Sequence, residues 1–241
     1  MDNTLAAKLD GYKPDAVTRD LIKQTPILLL VGPTGAGKDS VKERLMETDR
    51  FHHIISHTTR KPRINHGVIE QDGREYHFID EATASKMLDD HMMIEAKMYS
   101  GNLYGTSVAE IQAAHDEAKI AMTDIEVQGV VEYKALDQNV MAVFLLPPDF
   151  ETWQSRLQKR YGDVVDADDY RRRLETALNE LEQLLNTNYY VPVINDDLEQ
   201  VVSHVEAITN SVDHKAPDEP AARAIAEQLA KDIKAYLSSN Q

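Results

Sequence analysis

The chain has 241 residues, 42% hydrophobic and 28% charged, enough for a packed core in one elaborated domain or two small ones. Its 26 Lys+Arg against 41 Asp+Glu give a net charge of −15, which argues against nucleic acid or an anionic membrane as partner and confines any phosphate ligand to a local basic pocket. The absence of cysteine excludes a disulfide framework, a thiol nucleophile and thiolate-held zinc.

Residues 1–25 read as an N-terminal extension. They carry acidic Asp2, Asp10 and Asp15 where a targeting signal would be basic and then apolar, so a cytoplasmic protein is expected. One weak helix is predicted around Asp15–Lys23, with Val17, Leu21 and Ile22 as its apolar side. The run Ile27–Val31 is short, wholly apolar and ended by Gly32-Pro33, the pattern of a strand buried on both faces of a parallel sheet. A helix over Lys38–Thr48 follows, with Val41, Leu45 and Met46 on one face. Further apolar runs at Ile120–Asp124, Val140–Leu146 and Val191–Ile194 each precede a helical segment, at Val127–Leu136, Phe150–Tyr161 and Asp196–Ile208. Strands alternating with helices predict an α/β core with a parallel sheet flanked by helices.

Ser56–Lys119 breaks that alternation. It holds strand candidates at Tyr76–Phe78, Met93–Met98 and Leu103–Tyr104 and helices at Glu81–Asp90 and Ser107–Glu117, so a mixed α+β insertion is expected. A second, all-helical insertion runs from Phe150 to about Thr187, interrupted by the acidic turn Gly162–Asp169. The expected division is 1–25 extension, 26–55 with 119–149 and 188–210 core, 56–118 first insertion, 150–187 helical lid and 211–241 C-terminal extension. In the last, Ile225, Leu229, Ile233 and Leu237 recur at helical spacing behind Pro220 and predict a helix packed on its own core or at a homodimer seam.

The segment Gly32-Pro-Thr34-Gly35-Ala36-Gly37-Lys38-Asp39-Ser40 lies between a buried strand and a helix, the setting of a phosphate-binding Walker A loop. Its glycines let successive N–H groups face phosphate oxygens at a helix N-terminus, and Lys38 reaches the β- and γ-phosphates. The residue after the lysine, ordinarily a Ser or Thr that ligates magnesium, is Asp39: either Asp39 is the metal ligand, or it turns outward in the first turn of the helix and Ser40 or water takes that position. Ser56-His-Thr-Thr-Arg60-Lys-Pro-Arg63 adds two arginines suited to bidentate phosphate contacts. Histidines 52, 53, 57 and 66 lack the spacing of metal ligands.

These segments, with Glu70-x-x-Gly73-x-x-Tyr76-x-Phe78, Ile94-Glu95, Ser100-Gly-Asn-x-Tyr104-Gly-Thr106, Asp124-Ile-Glu126-x-Gln-Gly129, Arg156-Leu-x-x-x-Arg160, Arg173-Leu and Val193-Ile-Asn195-Asp-Asp197, resemble the guanylate kinase family from about Pro26 to about Thr209. The resemblance implies a P-loop nucleoside monophosphate kinase using ATP, GMP and Mg²⁺, as monomer or homodimer. It implies that Arg60, Arg63, Tyr76 and Tyr104 hold the GMP phosphate and that Ser56, Glu95, Thr106 and Glu126 read guanine. A carboxylate such as Glu95 accepts from both N1–H and the 2-amino group of guanine, neither of which adenine offers. Lys38, Arg156, Arg160 and Arg173 are implied on the triphosphate side, with Asn195 near the adenine. Glu126 stands where the family usually has Asp, and the Arg63–Glu70 spacing is longer than the family's. Two alternatives share the pattern: a sugar-phosphate kinase of the ribose bisphosphate kinase kind, suggested by Lys38-Asp39-Ser40, and a catalytically silent guanylate-kinase-like interaction module.

Overall fold

The computed structural model describes residues 3–65, 67–161, 167–211 and 213–239. In chain order the elements are α1 (Asn3–Leu9), α2 (Ala16–Gln24), β1 (Ile27–Val31), α3 (Lys38–Met46), β2 (Phe51–His53), β3 (His57–Thr58), β4 (Ile64–Asn65), β5 (Val68–Ile69), β6 (His77–Phe78), α4 (Glu81–Asp89), β7 (Met93–Tyr99), β8 (Asn102–Ser107) and α5 (Val108–Asp116). Then come β9 (Ile120–Asp124), α6 (Val127–Leu136), β10 (Met141–Leu146), α7 (Phe150–Tyr161), α8 (Ala167–Asn186), β11 (Tyr190–Ile194), α9 (Leu198–Asn210) and α10 (Glu219–Ser239). Five strands make a parallel sheet in the order β11-β10-β1-β9-β2. All residues of β1 and β10 are buried, as expected of strands covered on both faces.

The chain divides into two compact units. One gathers the N-terminal helices through Ile27, Asp49–Thr123 and Val131–Val140; the other gathers Leu28–Thr48, Asp124–Val130 and the chain from Met141 onward. In the first, β6-β3-β8-β7 form a four-stranded sheet and β4-β5 a separate hairpin. The β7–β8 hairpin turns at Ser100-Gly101, both at positive φ, and its register sets Glu95 opposite Thr106 and Lys97 opposite Tyr104. In the second, β1, β10 and β11 pair in parallel, and Trp153, Phe144 and Tyr190 are enclosed in its core.

The terminal segments differ from the sequence reading in detail. An additional helix, α1, puts Leu5 into a cluster with Ala84, Met87, Leu88, Met93 and Leu103. On α2, Thr18 and Ile22 are buried while Val17 is 76% exposed, because the Asp15 carboxylate that caps the Thr18 N–H at 2.8 Å sets the helix phase. Met46, at the end of α3, is exposed as well. On α10 the covered face is Ala222, Ala226, Leu229, Ala230 and Ile233, with Ile225 and Leu237 only partly covered. Small alanines bring α10 close against α8 and β11, so this helix packs within its own unit. The acidic turn expected at 162–169 falls mostly outside the described residues, as does His66.

Candidate active site

The phosphate loop belongs to the second unit. Gly32 is at φ 133°, where a Cβ would sit 2.3 Å from the Leu145 carbonyl oxygen, and Gly37 is at φ 95°, where a Cβ would meet the Asn195 amide nitrogen at 2.2 Å. Side chains are excluded at both places, so the loop backbone closes tightly onto β10 and Asn195. Asn195 is buried and donates from Nδ2 to the Ala36 carbonyl at 2.7 Å; its amide donor braces the loop. Trp153 on α7 donates from Nε1 to the Thr34 carbonyl at 2.8 Å, and Leu157 lies 3.0 Å from a Cβ built at Gly35. Lys38 Nζ donates to the carbonyls of Gly32 and Pro33, so the loop itself holds the ammonium. Burial lowers the Lys38 pKa, against the attraction of Glu180, Asp124 and Asp39.

Two carboxylates here carried no assigned role in the sequence reading. Asp124, at the end of β9, pairs with Lys42 at 2.5 Å; burial acts to raise its pKa, but Lys42 and then Lys38 hold it below the usual carboxylate value. Glu180 on α8 is buried with Oε2 unpartnered, and burial pushes it up to about 7 despite the pull of Lys38. A glutamate inside an amphipathic helix reads as a surface residue, and only its phase on α8 shows otherwise.

Arg160 pairs with Asp39 at 3.3 Å, both about half exposed, which ties α7 to the first turn of α3. Arg173 donates from Nε to Asp169 at 2.8 Å, and Arg156 is partly covered on α7. Glu126 is exposed and Ser40 points to solvent. The loop, Lys38, Asp39, Asn195, Glu126 and the three arginines therefore share one unit.

The first unit contains the remaining expected residues. A register shift between Met93 and Glu95 re-aims the strand at Glu95, as bulges beside sites do. Gly105 is required next to it, since a Cβ there would lie 2.6 Å from the Glu95 carbonyl oxygen. Thr106 is buried and its hydroxyl donates to Glu95 Oε1 at 2.9 Å, so its proton goes to the carboxylate and none is left for a purine O6. Surrounding protein pushes Glu95 up to about 7, with Glu132 adding to the rise and Thr106 and Lys97 opposing it. Ser56 is partly covered on the segment leading into β3.

Arg60 is buried, with Glu70 accepting from Nη1 at 2.7 Å and from Nη2 at 3.1 Å. Its guanidinium lies over Tyr76 at 5.2 Å and Phe78 at 5.7 Å, and Tyr104 meets Tyr76 edge-on at 5.8 Å. Glu70, whose place the long spacing from Arg63 left open, is fixed by the β4–β5 hairpin. The Arg63 N–H donates to Glu70 Oε2 at 2.8 Å and the Glu70 N–H to the Arg63 carbonyl at 2.9 Å. The Arg63 side chain is exposed. The structure thus brings Arg60, Tyr76 and Tyr104 together, and Glu95 with Thr106.

A parallel sheet whose first strand feeds a glycine-bounded loop and a helix-starting lysine, with arginines on two following helices, defines a P-loop kinase. The guanylate kinase family profile matches residues 23–212, and the chain belongs to that family. It is 35% identical over 190 residues to the guanylate kinase of Schizosaccharomyces pombe, covering 78% of this chain and 91% of that one. It is 31% identical over 193 residues to that of Latilactobacillus sakei, covering 79% and 91%. The crystal structure of guanylate kinase from Anaplasma phagocytophilum shares the fold, with TM-score 0.56 at 22% identity over 77% of this chain and 84% of that one. Among the described residues no helix is long and apolar enough to cross a membrane.

Proposed function

We propose that this chain transfers the γ-phosphoryl group of ATP to GMP, giving ADP and GDP, with the residues above in the roles their positions suit. The observation that carries the GMP assignment is Glu95. Its carboxylate is backed by the Thr106 donor and has Glu132 as a negative neighbour, an arrangement that favours a ligand edge made of donors such as guanine N1–H and its 2-amino group. The GMP phosphate is itself an oxyanion near neutral pH, so no strong general base is needed and catalysis consists of positioning and charge stabilisation. Lys38, Arg156, Arg160 and Arg173 neutralise the transferring group. Arg60, kept flat by Glu70 and Tyr76, and the exposed Arg63 hold the acceptor phosphate, with Tyr76 and Tyr104 beside them.

Mg²⁺ arriving with ATP keeps most of its oxygen ligands from phosphates and water and needs only one or two carboxylates. Asp39, which pairs with Arg160, and Asp124, which pairs with Lys42, both act on Lys38 and would supply that carboxylate, Asp39 as the ligand. Bound there, the ion would supply charge neutralisation to the phosphates.

The test is ADP release with GMP, dGMP, AMP, UMP and ribose 1,5-bisphosphate as acceptors. GMP is expected to be used, AMP and UMP not. Glu95→Gln, which turns a donor toward guanine's donors, is expected to lower kcat/KM for GMP by tens- to hundreds-fold with the KM for ATP unchanged. Preference for the sugar bisphosphate, or unchanged GMP saturation in Glu95→Gln, would overturn the assignment.

A further inference from the structure

Tyr12 follows α1 in the N-terminal extension, ahead of residue 23, where the family match begins, and lies in the same unit as Glu95. Its hydroxyl donates to the Met93 carbonyl at 2.8 Å and accepts from the Met93 N–H at 3.2 Å, so one side chain meets both backbone groups of one residue. Met93 opens β7, the strand that ends the sheet β6-β3-β8-β7. The phenol therefore stands where the backbone of a further strand would, and closes the sheet edge at that point. It does so at the bulge. Met93 lies opposite Ser107 and Glu95 opposite Thr106, which leaves Ile94 as the extra residue and makes the aim of Glu95 depend on how the backbone just before it is held.

We propose that Tyr12 is a positioning residue of the guanine site: its hydroxyl fixes the Met93 backbone, and with it the bulge that aims the Glu95 carboxylate. The phenol is itself held in place. The Tyr12 N–H donates to the Leu9 carbonyl at 3.1 Å, the ring stacks on His91 with centroids 5.9 Å apart, and His91 Nδ1 donates to the Lys13 carbonyl at 3.2 Å. Leu5 packs with Leu88 and Met93, which seats the extension on α4 and β7. Met93 is fully enclosed, so water does not replace the phenol if its hydroxyl is removed, and the strand must shift to satisfy the freed N–H and carbonyl. Tyr12 thus acts through backbone and not on the nucleotide. Guanine presents two donors to Glu95 on one rigid edge, so both carboxylate oxygens must be in place, whereas a base with one donor tolerates a tilted carboxylate. The hydroxyl should therefore matter most for a ligand that carries the 2-amino group.

This inference rests on Glu95 reading guanine, and the experiment separates the two. Below the melting range, kcat and the KM values for GMP and ATP are measured for the parent, Tyr12→Phe, Lys8→Ala and Glu95→Gln. The inhibition constant of inosine 5′-monophosphate, which keeps guanine's N1–H and lacks its 2-amino group, is measured against GMP in the same proteins. Tyr12→Phe keeps the ring and removes the hydroxyl. It is expected to raise the KM for GMP by about three- to ten-fold, the value of one hydrogen bond, and the inosine constant by a clearly smaller factor, with kcat and the KM for ATP near the parent's. Exchange of the Met93 amide proton should quicken in that variant. Lys8→Ala removes an ion pair with Asp89 of α4 elsewhere on the same extension and should leave every constant as in the parent. An unchanged KM for GMP in Tyr12→Phe, equal factors for GMP and the inosine nucleotide, or an equal rise in Lys8→Ala overturns the proposal while leaving Glu95's role intact. Unchanged GMP saturation in Glu95→Gln overturns both.

Discussion

The Arg60–Glu70 pair shows how much a single carboxylate decides in this chain. Both side chains are under a tenth exposed, and the arginine lies over the aromatic ring of Tyr76, where solvent has little access to replace a lost partner. Glu70→Ala therefore leaves a buried, uncompensated guanidinium and is expected to destabilise the chain by about 3–5 kcal/mol, read by urea unfolding, with a higher KM for GMP as the phosphate anchor loosens. A second expectation at this scale concerns pH. Glu95 and Glu180 are each pushed up to about 7, above their ordinary value of 4.5, so between those limits the folded chain binds more protons than the unfolded one. Their contribution to stability is complete below the ordinary value and is lost as pH rises toward 7. The nucleotide-free protein should melt at higher temperature at pH 6.0 than at pH 7.5, and Glu180→Gln should flatten part of that slope. His57, pushed down to about 4 by burial and by its neighbour His77, works in the opposite direction below its ordinary 6.5, so the rise levels off in more acidic buffer. A slope of the other sign, or one insensitive to Glu180→Gln, would remove Glu180 from the buried groups that titrate in this window.

Among the elements, those with strong apolar periodicity were legible and those held by local polar contacts were not. β1, β10 and β11 announce themselves because parallel strands buried on both faces must be continuously apolar. The short β2, with His52 and His53, carries no such signal and is fixed by pairing with β9. The hairpin β4–β5 exposes Ile64, Val68 and Ile69, so no alternation of covered and open positions marks it; its register depends on Glu70 being drawn back to Arg63. α1 is too short to show a period, and Leu5 reveals itself only against α4 and β7. α10 was legible as a helix, but its apolar stripe runs through alanines that a search for large residues passes over. Because it covers α8 and reaches Phe150 and Tyr170 through Tyr236, deletion of residues 211–241 would expose the face of α8 around Leu181 and Leu184, both buried now. The expected outcome is a melting temperature lower by many degrees, at ~25 cal/mol per Å² of apolar surface uncovered, with phosphoryl transfer retained at low temperature. A folded truncation without activity would mean that α10 also contributes to the site.

At the scale of the molecule, the family was legible because the phosphate loop and the spaced motifs that follow it are built from residue types that few other tasks require in that order. The supports were not. Asn195 and Glu180 depend on burial and helix phase, which a sequence states only once its elements are placed. The division of the chain into two units distributes those supports unevenly: α1 and α2 fall with Glu95 and Arg60, whereas α10 falls with Lys38 and the arginines of α7 and α8. With Glu126 the exception, each extension therefore lies in the unit that carries most of the residues proposed for one of the two nucleotides, and damage to one should not spread equally. Leu5→Ala opens a cavity against Met87 and Met93, and Leu229→Ala opens one on the covered face of α10. Each is expected to cost about 2–5 kcal/mol of stability. In two-substrate kinetics below the melting range, Leu5→Ala should raise the KM for GMP several-fold, the scale of a sub-ångström displacement at a site that depends on position, with the KM for ATP near the parent's. Leu229→Ala should do the reverse, acting through α8 on Arg173 and Glu180. Equal changes in both constants for either variant would mean that the extensions stabilise the chain as a whole and do not support the two nucleotide sites separately.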